Sequence, residues 1–116
     1  MVKYDVEGLV NALKSFIGKQ TWIIESISRN REIGHDRHFA TYSRFMMTPK
    51  SVEWSISGAN FYIDGIEGFS YSLSSLNIIR FNADEARRLT IVEHFESKTE
   101  RETTLWTKPV DAGDQS

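Results

Sequence analysis

The chain is predicted to be an α+β domain: one N-terminal amphipathic helix followed by an antiparallel β-meander of about seven or eight short strands, curled into a small barrel or a strongly bent sheet. Three observations support this. Apolar residues recur at helical spacing only near the start of the chain. From Thr21 to Thr107 the pattern shifts to two-residue alternation, interrupted at short intervals by turn residues. Parallel strands would each need a long crossover, and one good helix cannot supply several.

The helix comes first. Val6, Leu9, Val10, Leu13, Phe16 and Ile17 line one face between Asp5 and Lys19. Asp5 is a suitable N-cap, and Gly18 can take the left-handed conformation that stops a helix. Gly8 costs about 1 kcal/mol relative to alanine, so the helix depends on docking its stripe on the sheet.

Thr21 to Ser28 is β-branched and aromatic and predicts a strand. The charged stretch from Arg29 to His38 predicts an exposed loop or hairpin tip. Phe39 to Met47 is a strand with no purely polar face, and Thr48-Pro49-Lys50 breaks it because proline cannot donate to a ladder. Val52, Trp54 and Ile56 alternate with polar residues. A turn at 57–60 then returns the chain as Phe61 to Ile63, and Asp64-Gly65 turns it again. Phe69, Tyr71 and Leu73 alternate with serines, and Leu76 to Phe81 is another apolar run. Asn82 to Ala86 is a polar connection, Leu89 to Phe95 a strand, Ser97 to Arg101 a charged turn, and Glu102 to Thr107 the last strand. Residues 1–109 form one domain and 110–116 a mobile tail.

Composition excludes several kinds of chemistry. The chain has 116 residues, 40% of them hydrophobic and 26% charged, which is ordinary for a globular domain. With no cysteine it has no disulfide, thiolate metal site or cysteine nucleophile. No secretory leader or membrane span is legible, so a cytoplasmic location without membrane contact is expected. A net charge of −2 gives no global attraction for phosphates.

Candidate residues gather in one region. His35, Asp36 and His38 are metal-ligand types, and His94 could join them. Zinc or iron needs three or four convergent ligands, so a solvated loop is the more ordinary reading, and no metal or cofactor is assigned. Arg29, Arg31, Arg37 and Arg44, with Tyr42 and Trp22, would suit phosphate tracking with stacked bases, but Glu32 and Asp36 dilute the field and nucleic acid is disfavoured. The expected binding surface is therefore Arg29, Arg31, His35, Asp36, Arg37, His38, Tyr42 and Arg44. Tyr42, Phe45, Met46 and Met47 are candidates for self-association, because a strand apolar on both faces expects burial on both. Arg80, Arg87 and Arg88 read as surface ion pairs with Asp84 and Glu85. No serine has a nucleophile elbow, and no glycine-rich phosphate loop exists.

The expected function is a non-enzymatic binding or interaction domain, an accessory or inhibitor protein acting through contacts with a protein partner or a second copy of itself. One alternative is a small-ligand barrel, or a cup-shaped-sheet enzyme using His94, Asp64, Tyr62 and Tyr71. Another is an RNA-binding small barrel assembled into a ring.

Overall fold

The structure, a computed structural model, describes residues 4–30, 38–55, 59–84 and 87–107. Asp5 caps helix α1 (Val6–Lys14) by accepting a hydrogen bond from the Gly8 N–H at 3.0 Å. A side chain on Gly8 would collide with that same carboxylate, so the glycine that weakens the helix also makes room for its cap. The chain leaves the helix through a turn ending at Gly18, whose φ of 83° is left-handed. The Gly18 N–H bonds to the Pro49 carbonyl at 2.8 Å and ties this end of α1 to the sheet layer.

Eight strands follow: β1 (Thr21–Asn30), β2 (His38–Met47), β3 (Pro49–Trp54), β4 (Asn60–Gly65), β5 (Ser70–Ser74), β6 (Ile78–Ala83), β7 (Leu89–Phe95) and β8 (Thr99–Trp106). Every pairing among them is antiparallel. They form two sheets, one of five strands in the order β2-β1-β8-β7-β6 and one of three in the order β3-β4-β5.

The α+β class and the antiparallel strands match the sequence expectation, but the barrel does not. Among the described residues the larger sheet ends at β2 and β6, which pair with β1 and β7 alone, so it does not close. Nor is the order a simple meander. Pro49 opens β3 in the second sheet, and the chain returns to the first at Ile78. Proline lacks an amide donor and suits a first position where the ladder is being abandoned. The excursion leaves the last strand to pair with the first.

Cross-strand register on the inner face of the larger sheet sets up rows. Leu89, Leu105, Ile23 and Phe45 stand side by side in one row. The next holds Ile91, Thr103, Glu25 and Ser43, and the third Glu93, Arg101, Ile27 and Thr41. The first row joins Leu9, Leu13 and Phe16, with Met47, Phe61, Ile63 and Leu73, in one apolar core. Polarity rises along the rows away from that core.

Candidate functional site

β5 runs obliquely over these rows, crossing the strands that carry them. Phe69, just before it, meets Phe45 of β2 with ring centroids 6.3 Å apart. The Tyr71 hydroxyl donates to Glu25 Oε2 of β1 at 3.1 Å and lies 2.8 Å from Thr103 Oγ1 of β8. Arg101 Nη2 of β8 donates to the Ser72 carbonyl at 2.9 Å, and the Ser74 N–H donates to Glu93 Oε2 of β7 at 2.7 Å. One short strand therefore touches four strands of the opposing sheet in turn, as crossed sheets do.

At the crossing lies a polar network around Arg101. Its Nε and Nη2 grip both oxygens of Glu93 at 2.6 and 2.9 Å, the bidentate geometry that a guanidinium fork favours. Its Nη1 is 3.3 Å from Glu25 Oε2, and its plane lies over the rings of Tyr71 and Phe95. Glu93 is 0% exposed, so its carboxylate is desolvated and the hydrogen bonds it accepts are what make it tolerable. Burial opposes the Arg101 charge, yet the hydrogen bonds and attraction of Glu93, helped by Tyr71 and Glu25, hold the guanidinium above its ordinary pKa. Burial also raises the Tyr71 hydroxyl, against the opposing pull of Thr103 and Arg101. Tyr71 is thus a hydrogen-bond donor near neutral pH and not a base. Among the described residues no buried side-chain polar atom lacks a partner. The network clamps the two sheets together.

The candidate residues read from sequence are distributed differently. Arg31, His35, Asp36 and Arg37 lie outside the described residues. Arg29 falls on β1 opposite Phe39, and His38 opens β2 opposite Asn30, so the ladder extends further into the charged stretch than expected. Tyr42 projects from β2 at 76% exposure. Arg44 lies over the Trp22 ring, 5.5 Å from its centroid. Of the self-association candidates, Met47 is in the core, Phe45 packs on Phe69 and Tyr71, and Met46 is half-buried.

His94, Asp64, Tyr62 and Tyr71 do not converge. His94 pairs with Glu100 on the exposed side of β7, Asp64 accepts from Ser70 and Ser51, Tyr62 is exposed on β4, and Tyr71 points into the network. No group of three metal-ligand side chains gathers among the described residues. No described helix is long and apolar enough to cross a membrane.

Sequence reasoning passed over Glu25, Glu93, Arg101 and Thr103. The available signal was a carboxylate on an otherwise apolar face, in Ile23-x-Glu25-x-Ile27 and in Ile91-x-Glu93-x-Phe95. A charge at an inward position demands a partner.

No family model matches the chain, and no curated protein does. Among solved structures, the crystal structure of Bacillus subtilis YojF protein is similar, with a TM-score of 0.71 over 94% of each chain at 15% sequence identity. That likeness shows the fold alone.

Proposed function

We propose that this chain is a non-enzymatic binding domain that pairs with a second copy of itself along the free edge of β2. The observation that carries the proposal is the contrast among the sheet edges. β3 begins at a proline and shifts register between Pro49 and Ser51, β6 shifts register between Ile78 and Arg80, and β5 has only five residues. Short strands, bulges and prolines are what keep an edge from pairing with a stray strand. β2 has none of these. It runs ten residues in unbroken register with β1, without proline or lysine.

A two-fold register centred on Tyr42, which sets that residue opposite its own copy, pairs residues 38–46 and sets Arg44 opposite Ala40, so no like charges face each other. The cation of Arg44 is already laid over Trp22 of its own chain. Tyr42 supplies a large, rigid contact at the centre of such an interface.

The test is solution mass by light scattering, with Tyr42→Lys and Ser43→Lys as variants. The expected result is twice the 13.4 kDa chain mass for the wild type and a single chain mass for both variants. A nitroxide placed at Thr41→Cys should report a pair distance consistent with strands side by side. A monomer at millimolar concentration, or a dimer indifferent to both lysines, would overturn the proposal. So would a wild type that stays monomeric and accepts only a foreign strand.

A further inference from the structure

We infer that the cleft between the end of α1 and the β6–β7 connection is a binding site for a small organic anion: a carboxylate head on an apolar body. The cleft has a volume of about 380 Å³, at the lower end of what ligand pockets occupy. It lies on the far side of the apolar row from the Arg101 network and shares no residue with it or with β2.

Its wall is apolar. Phe16 and Leu89, both buried in the core, line it beside Ala12 and Ala83. Its rim is cationic, with Lys19, Arg87 and Arg88 against the single described carboxylate of Asp84. Asp84 is taken up by Arg88, whose Nε and Nη2 approach it at 2.9 and 2.8 Å, and Arg88 is further held 5.2 Å above the Trp106 ring. Neither Lys19 nor Arg87 has an ion-pair partner among the described residues, and both are exposed. In a chain whose net charge is −2, a concave apolar surface flanked by two cations that have no ion-pair partner among the described residues is complementary to an amphipathic anion.

The backbone at Arg87 points the same way. Its φ of 65° is left-handed, a region that glycine or asparagine occupies more easily. The Arg87 N–H donates to the Asp84 carbonyl at 2.9 Å, and the Asp84 N–H donates to the Arg88 carbonyl at 3.0 Å, so the turn enforces this conformation. The turn thereby fixes where the Arg87 side chain leaves the backbone at the rim of the cleft.

The experiment is an amide NMR titration of the full chain with octanoate, 1-octanol, acetate and inorganic phosphate. Octanoate is expected to give saturable shifts at Ser15, Phe16, Lys19, Arg87, Arg88, Leu89 and Thr107. Octanol should bind at least tenfold more weakly, and acetate and phosphate should leave these amides unmoved. The double variant Lys19→Glu/Arg87→Glu should weaken octanoate at least tenfold without changing octanol. If that variant does not fold, Lys19→Gln/Arg87→Gln should weaken it in the same direction by a smaller factor. Equal binding of octanoate and octanol, binding of phosphate in place of octanoate, shifts elsewhere on the surface, or no saturable shift would each overturn the inference.

Discussion

Replacing Arg101 with methionine removes the clamp while keeping much of its bulk. The wild-type side chain closes five polar contacts, two on Glu93, one on Glu25, one on the Ser72 carbonyl and the stacking on Tyr71. Without it, Glu93 keeps a single donor among the described residues, the Ser74 N–H, at a site with no solvent exposure. Breaking a buried pair from one side costs about 3–5 kcal/mol, because the remaining charge has neither water nor a partner. That is a large part of the roughly 5–15 kcal/mol that holds a domain folded. Glu93→Gln should be milder, about 1.5–3 kcal/mol, since Arg101 is partly exposed and retains Glu25. Arg101→Met/Glu93→Met should recover most of the loss, because two packed apolar side chains need no desolvation of charge. The assay is urea unfolding followed by tryptophan fluorescence, where Arg101→Met should lower the midpoint by at least about 1 M for a slope of roughly 1–3 kcal/mol per molar. If Arg101→Met costs less than about 1 kcal/mol, or if the double variant equals the sum of Arg101→Met and Glu93→Met measured alone, the clamp is not what joins the sheets.

Three further outcomes are expected. Tyr4, whose hydroxyl donates to the Ser75 carbonyl, has its pKa pushed up to about 12 by burial and then by Glu93. Because the folded value exceeds the unfolded one, stability should be complete below pH ~10 and fall as pH rises toward 12. Tyr4→Phe should reduce that fall in an alkaline titration followed by circular dichroism. Position 87 should order stability as glycine above arginine above valine, with about 1 kcal/mol between neighbours, since only glycine holds the left-handed backbone freely; melting temperatures check it. Asp5→Ala should cost about 0.5–2 kcal/mol through loss of the cap on Gly8, measured by chemical unfolding.

Much of the local structure was legible. The Asp5 cap, the left-handed turn at Gly18, the alternation through Leu89 to Phe95 and the break at Pro49 each follow from one residue type meeting one backbone requirement, although the helix ends earlier than expected, at Lys14 with Ser15 as its C-cap. The misreadings share one cause. Arg101 reads as part of a charged turn, yet only Glu96 to Lys98 turn, and β8 begins at Thr99 because it has β1 and β7 to pair with on either side. β1 and β8 are about as far apart in the chain as two strands can be, and no periodicity carries that information.

The amino-acid order by itself determined which segments form a helix or strands and which face of each is apolar, because capping, β-branching and alternation act over a few residues. Tertiary structure alone decided that the strands divide into two crossed sheets, that β2 is left at an edge, and that Arg101, Glu93, Glu25 and Tyr71 meet. A buried charge is tolerable only beside its partner, and only the folded chain brings together a partner that lies dozens of residues away.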